Sequence, residues 1–512
     1  MKAVLRRWWR QLTSMRTALV LLLILAVAAV PGSLLPQRSV DANAVAEYYR
    51  QNPELAPTLD RLWAFDVYSS PWFAAIYLLL MTSLVGCLAP RIRDHVRTLR
   101  SRPPDAPARL SMLPRSRVLD SSTAAGDAAK TLRRNRFRVA VREHDDGTTT
   151  VAAEKGYLRE AGNLLFHFSL LGFLVGVAYG SMFGWHGNRI LVEGEDHAFC
   201  NSLQQYDESG LGPQISASDL PRFCMQLDAF SADYQDNGQA VQFDADVRYG
   251  EDGAAPTEEY LLRVNHPLNL DDASVFLLGN GYAPVITYTD RYGVSQTSTA
   301  PFIPEDDMLT SYGAAIFPDA NVDPETGEQD ADAQVAFEGV FMPTTPDEPP
   351  YTVSTFPEAD APGLMLSAFR GDTGLNDGRP QSVYTVDPDQ IASGALQPAA
   401  DEAELLSVGD TWELDDGTTV TFDGYARFAT LEVRHDPGEP IVLASAVSVL
   451  AGLLPALIVK RRRVWLRVGP GGVEAGGLAR NDYSGFDEEF DRLTDEIAAG
   501  ADSAPPTKTG DS

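Results

Sequence analysis

The stretch Ala161–Trp185, AGNLLFHFSLLGFLVGVAYGSMFGW, decides the fold. It has 25 residues, and none is Asp, Glu, Lys or Arg. A bilayer core about 30 Å thick is spanned by about 20 apolar residues rising 1.5 Å each, so this stretch predicts a transmembrane helix. Three further stretches share its character: Thr17–Leu35, Pro71–Ala89 and Ile441–Val459. Together they predict a membrane protein with four transmembrane α-helices. Arg6, Arg7 and Arg10 ahead of the first stretch, with Ala26, Ala28 and Ala29 near its end, also suit a signal peptide. Retaining that stretch as a span gives an even count.

Flanking charges set the orientation, because Lys and Arg accumulate on the cytoplasmic side. Arg6, Arg7, Arg10 and Arg16 precede span one, and Arg91, Arg93, Arg97, Arg100 and Arg102 follow span two. Lys155 and Arg159 precede span three, and Lys460, Arg461, Arg462 and Arg463 follow span four. If the spans alternate, all four clusters fall on one side. The expected order is a cytoplasmic N-terminus (1–16), span one (17–35), a short outer loop (36–70), span two (71–89), a cytoplasmic loop (90–160), span three (161–185), an extracytoplasmic domain (186–440), span four (441–459) and a cytoplasmic tail (460–512).

Composition agrees with this division. The 512 residues include 41 Lys plus Arg and 71 Asp plus Glu, a net charge of −30. Residues 186–440 carry nine Arg, no Lys and 47 acidic residues, a net −38, which leaves +8 for the rest. Nucleic acid is therefore excluded as a partner, since binding it requires phosphate neutralisation by Lys and Arg. Three Cys and 41 Gly without a three-residue period exclude disulfide mini-folds and collagen.

In the outer loop, Asp41–Arg50 (DANAVAEYYR) reads as a helix with Asp41 as N-cap. In the cytoplasmic loop, Ser122–Asn135 reads as a helix, and Phe137–Arg142 and Thr148–Ala153 as strands joined at Asp145-Asp146-Gly147. A small α+β element results. Residues 186–440 alternate like strands at Gln239–Arg248, Glu259–Val264, Val275–Leu278, Val285–Thr289 and Thr418–Phe422, and predict an all-β, sandwich-like domain. Asn321–Ala333 and Thr344–Pro350 read as exposed loops. The tail shows a hairpin around Pro470-Gly471-Gly472, a helix over Phe486–Ala498 and a polar end.

Soluble-enzyme motifs are absent: no P-loop, G-x-S-x-G, H-E-x-x-H, C-x-x-C or C-x-x-C-H occurs. The chain is therefore neither a thioredoxin-like reductant nor itself a c-type cytochrome. His167 is the one histidine within the four spans. An ionisable group there marks a functional candidate, and neutral imidazole is a haem-iron ligand; a hydrogen bond to a neighbouring helix is the plainer alternative. Gly172, Gly176, Gly180 and Gly184 form a ridge for close helix packing. At 100° per residue His167 lies about 140° from Gly172 and about 180° from Gly176, so histidine and ridge face opposite ways. Cys87 sits near the basic end of span two, at a depth similar to that of His167, as a small hydrophobe or a weak ligand candidate. Cys200 and Cys224, on the oxidising side, are either a disulfide or two buried thiols.

The sequence resembles the ResB-type cytochrome c biogenesis proteins of system II. The likeness is carried, in family order, by Pro31-Gly-Ser-Leu-Leu-Pro-Gln37, Tyr68-Ser-Ser-Pro-Trp-Phe73, Ser83-Leu-Val-Gly-Cys-Leu-Ala-Pro-Arg91, the run from Glu154 to His167 (EKGYLREAGNLLFH), Val264-Asn-His-Pro-Leu268 and Asp436-Pro-Gly438. It departs at Phe276–Tyr282 (FLLGNGY), where the family carries an aromatic–Gln pair. The resemblance implies one subunit of a haem-attaching synthase in the bacterial plasma membrane, not an enzyme on its own. It would act with a ResC/CcsA-type partner bearing the WWD motif, which this chain lacks, and with apocytochrome c; a thiol-reducing protein is a further partner of such a system. It implies a transient b-type haem with His167 as axial ligand and His266 as a weaker candidate. A non-catalytic membrane-anchored β-domain, a receptor or scaffold, is the competing expectation.

Overall fold

The computed structural model describes residues 2–40, 42–119, 123–194, 197–329, 333–375, 384–470, 472–479 and 485–502. The expected N-cap Asp41, the helix start at Ser122, residues 330–332 of the acidic loop, the turn residue Gly471 and the tail beyond residue 502 lie outside that set. The chain forms two compact units, Met1–Gly180 with Pro437–Ser512, and Ser181–Asp436.

The first unit begins with α1 (Lys2–Leu12) and α2 (Met15–Leu34), followed by the short helices α3 (Ala42–Gln51) and α4 (Ala56–Arg61). It continues with α5 (Pro71–Arg100), α6 (Ala125–Arg134), α7 (Leu158–Phe183), α8 (Glu439–Ile458) and α9 (Gly485–Asp502). Four of these, α2, α5, α7 and α8, are long and apolar enough to cross a membrane. Local chemistry sets their starts. Ser14 Oγ accepts from Thr17 N–H at 3.2 Å to cap α2, and Ser70 Oγ accepts from Phe73 N–H at 3.2 Å to cap α5, whose first residue is Pro71.

Helix ends differ from expectation at α5, at α7 and at α9, which runs on to Asp502. α5 runs past Ala89, through Pro90, to Arg100. The change from apolar to basic sequence ends the membrane-compatible stretch, but Arg, Leu and Ile are adequate helix formers and carry the helix on. α7 stops at Phe183, so Gly184 is off the helical ridge; Trp185 opens a strand and is buried in the β-domain core.

The expected α+β element and the tail hairpin are one domain. A five-stranded antiparallel sheet has the order Arg115–Leu119, Gly472–Ala479, Arg462–Gly469, Thr149–Lys155, Arg138–Glu143. Leu466 pairs with Val151, joining segments about 300 residues apart in sequence. α6 and α9 cover one face through Ala128, Leu132, Phe486, Phe490 and Leu493. On the other face Trp465 packs with Leu110 and Ala152, and its indole N–H donates to the Pro104 carbonyl at 3.0 Å.

The second unit is a large all-β domain of antiparallel sheets, with one short α-helix, Pro388–Ser393, among its described residues. Its spine is a pair of 17-residue strands, Ala273–Thr289 and Thr419–His435, which the sequence pattern divides or truncates. One half of this pair packs against a four-stranded sheet through Val275, Leu277, Leu431 and Val433 facing Phe223, Met225 and Val247. The other half packs against a six-stranded sheet through Tyr282, Ile286, Tyr288 and Phe422 facing Phe317, Phe337, Phe341 and Leu366. The single expected sandwich is thus two cores sharing one long sheet. A register shift between Leu277 and Gly279 accounts for the inward set changing from odd (273, 275, 277) to even (282, 286, 288) positions. Asn321, expected in an exposed loop, is buried instead. Its side-chain amide donates to the Ala333 carbonyl at 2.8 Å, and its backbone N–H to Asp290.

Candidate functional site

The approach to α7 fixes how that helix stands. Glu154, on strand Thr149–Lys155, is 2% exposed and accepts from the Tyr157 hydroxyl at 2.7 Å, from Arg461 Nε at 2.5 Å and from Arg463 Nε at 3.0 Å. Burial pushes this carboxyl up, but the Tyr157 hydrogen bond and the Arg461 guanidinium outweigh it and hold it below its ordinary value. Tyr157 itself lies between Arg461 and Arg138, whose guanidinium carbons stand 5.4 and 5.5 Å from its ring centroid. Gly156 has φ +101°, and a Cβ there would come within 2.3 Å of the Lys460 carbonyl oxygen. The start of α7 is therefore bolted to the residues that follow α8.

Along the membrane-length stretch the two helices meet closely. Gly162, Ser169 and Gly176 are the buried residues of α7, Ser445 and Gly452 those of α8, and within each set the spacing is seven. A heptad of small residues lets backbones approach. A Cβ on Gly452 would lie 2.6 Å from Phe166 N, and one on Gly438 would lie 2.1 Å from the Gly176 carbonyl oxygen. The expected ridge residues Gly172 and Gly176 lie in this seam, Gly172 against Ser445 and Gly176 against Val442. Gly162 and Gly452 belong to it too, although a four-residue glycine count passes over them.

His167 stands on the opposite side of α7. It shares a stripe with Glu160 and Leu174, seven residues away on either side. Both ends of that stripe meet α5: the Tyr77 hydroxyl donates to the Leu174 carbonyl, and His95 Nδ1 stands 3.5 Å from Glu160 Oε2. The imidazole Nδ1 is 2.7 Å from the Asn163 carbonyl oxygen, which can only accept, so the proton sits on Nδ1 and the lone pair on Nε2. No protein partner for Nε2 occurs among the described residues. The ring is half-buried and edge-on to Phe166, with centroids 5.2 Å apart. This donor fits one axial position of a haem iron. Among the described residues no group of three or more His, Cys, Asp or Glu side chains placed to hold a metal ion occurs.

The antiparallel pairing of Tyr77 with Leu174 and His95 with Glu160 puts the level of His167 near residues 84–88 of α5. Cys87 lies at that depth but about 80° around the helix from the Tyr77–His95 line; its thiol donates to the Leu84 carbonyl at 3.2 Å. Cys200 and Cys224 are directly paired on neighbouring strands and joined in a disulfide. His266 is exposed in the turn after strand Glu258–Arg263, with Asn265 at φ +63° and Nδ1 3.3 Å from the Val264 carbonyl oxygen. His266 belongs to the β-domain unit and His167 to the helical unit.

Further resemblance-bearing residues have structural reasons. Gln37 is buried; its amide N–H groups donate to the carbonyls of Leu35, Pro36 and Ala64, and its oxygen accepts from Val67 N–H. Arg38 pairs with Asp60 and Asp66. These bonds tie the end of α2 to the residues entering α5.

Four apolar helices, an α+β domain assembled from two distant segments and a large antiparallel β-domain fit a membrane protein. The chain belongs to the ResB-like family, whose model matches residues 15–491. It is similar to the cytochrome c biogenesis protein CcsB of Synechococcus sp. strain RCC307, 25% identical over 514 residues, covering 98% of this chain and 99% of that protein. CcsB of Synechococcus sp. strain CC9311 is 24% identical over 509 residues, covering 96% and 98%. CcsB of Gloeobacter violaceus is 23% identical over 498 residues, covering 94% and 89%.

Proposed function

We propose that this chain serves cytochrome c maturation as a membrane subunit that holds haem as cargo, with His167 Nε2 as an axial ligand. The full-length likeness to proteins named for cytochrome c biogenesis supports the process. The observation that carries the residue assignment is the Nδ1 bond to Asn163, which leaves the Nε2 lone pair available to an iron. The glycine seam holds α7 from the other side, so the imidazole has one bearing. The haem is b-type and transient in this reading, and Cys87 and His266 are secondary ligand candidates. The partners are a ResC/CcsA-type WWD-domain protein and apocytochrome c, with a thiol-reducing protein keeping the apocytochrome cysteines available. Both termini are cytoplasmic and residues 186–440 are extracytoplasmic, in a bacterial plasma membrane, because all four basic clusters then lie inside.

The test is the full chain co-purified with its WWD partner. His167→Ala is expected to remove most of the Soret absorbance per mole of complex and most c-type cytochrome assembly, with protein level in the membrane unchanged. Added imidazole is expected to restore part of the absorbance by filling the vacated ligand position. An Ala variant with the parental spectrum and assembly rate would show that His167 only packs the helix.

A further inference from the structure

α1 divides cleanly by chemistry. At 100° per residue, Lys2, Arg6, Arg7 and Arg10 fall on one half of the helix, and Val4, Trp8, Trp9 and Leu12 on the other. Trp8 and Trp9 are 69% and 55% exposed, far more than a folded core would leave them. The chain then breaks at Thr13 and restarts at the Ser14 cap of α2. α1 is held against α5 at this break: Ser83 Oγ donates to the Leu12 carbonyl at 2.6 Å, and Thr13 occupies the space a side chain on Gly86 would need.

Between the two helices runs a groove of about 660 Å³. Trp9, Arg10 and Thr13 line one side, and Met81, Val85 and Ala89 the other. Its α5 wall is part of the membrane-length apolar helix, and its α1 wall carries a cation. The surrounding charge is one-sided. No acidic residue occurs before Asp41, and none occurs in α5 before Asp94. Arg91 reaches across from α5 to Met15 at the start of α2. An apolar slot lined by Arg10, on the half of α1 that also carries Arg6 and Arg7, matches a molecule with a hydrocarbon tail and an anionic head. A bare apolar helix from a partner protein would leave those arginines without a function.

We propose that α1 is an interfacial helix and that the α1–α5 groove binds an anionic phospholipid, with acyl chain along Met81–Ala89 and headgroup phosphate at Arg6, Arg7 and Arg10. Trp8 and Trp9 sit at headgroup depth, where amphipathic rings are stable. The site stands independently of the haem reading.

The test uses the full chain in neutral detergent, titrated with phosphatidylglycerol or phosphatidylcholine of matched acyl chains and read by native mass spectrometry. Phosphatidylglycerol is expected to be retained at least about tenfold better, because each basic residue near an anionic headgroup contributes roughly fivefold. Arg6→Gln, Arg7→Gln and Arg10→Gln together are expected to weaken it on the order of a hundredfold. Val85→Trp fills the groove from an exposed position with the charges intact, and is expected to weaken retention of both lipids. Millimolar inorganic phosphate is expected not to displace the lipid. Equal retention of the two lipids, or an unchanged triple variant, overturns the proposal. So does displacement by phosphate, and so does Val85→Trp binding like the parent, which would leave surface charge without a groove.

Discussion

Glu154→Gln tests the bolt at the start of α7. The substitution keeps the volume and removes one buried charge that accepts from Tyr157, Arg461 and Arg463. Glutamine keeps one acceptor oxygen but turns an amide N–H₂ toward a set of donors, so at least one donor loses its acceptor. Removing one partner of a buried pair costs about 3–5 kcal/mol. Arg461 retains Glu160, and Arg463 is one-third exposed and can turn to water, so the expected loss is at the low end, about 3 kcal/mol. At about 2–4 °C per kcal/mol for a unit of this size, the unfolding midpoint falls by about 6–12 °C. The pH dependence has a definite sign. Because the folded carboxyl lies below its ordinary value, its contribution is present above the unfolded value of about 4.3 and is lost as pH falls through the folded one. Acidification below about pH 4 should therefore destabilise the parent more than the variant. Thermal unfolding of the full chain in detergent, followed by tryptophan emission at pH 7 and across the acid range, measures both effects. A midpoint within about 1 °C of the parent, or parallel acid curves, would refute the bolt.

Three further outcomes are expected. Cys200→Ser removes a bridge between residues 24 apart, worth about 3 kcal/mol in the chain-entropy model; calorimetry of the full chain with and without reductant should show the β-domain transition moving down in the parent only, and full alkylation of both cysteines in the unreduced parent would contradict the bridge. Gly452→Leu places a side chain where Phe166 N and the Gly162 carbonyl already stand, so it should cost about 1–3 kcal/mol and lower haem retention by moving the backbone beside His167; a variant with parental midpoint and spectrum would show that the seam does not position the histidine. Reporter fusions at Asp105 and Asn237 should report opposite sides of the membrane, and the same side from both would overturn the proposed orientation.

The four apolar stretches were legible because bilayer thickness imposes a length and a composition that no local context can hide. The face relation of His167 to Gly172 and Gly176 was equally legible, since both follow from 3.6 residues per turn. Strand content in residues 186–440 followed from alternation, but strand length did not. In Ala273–Thr289 the alternation is legible only at Val275–Leu278 and Val285–Thr289, and pairing with Thr419–His435 carries the strand through the residues between them. The merging of the 115–155 strands with the 462–479 hairpin could not be read, because sheet order depends on partners distant in sequence. The same holds for Glu154: as an acid before a span it looks like a flanking charge, and its burial exists only because Arg461 and Arg463, about 300 positions later, arrive beside it. Sequence by itself determined what each segment is, helix or strand, apolar or charged, because those properties follow from periodicity and composition. Tertiary structure alone decided which segments meet, and with that the buried pairing of Glu154, the second half of the glycine seam and the two cores of the β-domain, since each rests on contacts between residues whose separation no local pattern encodes.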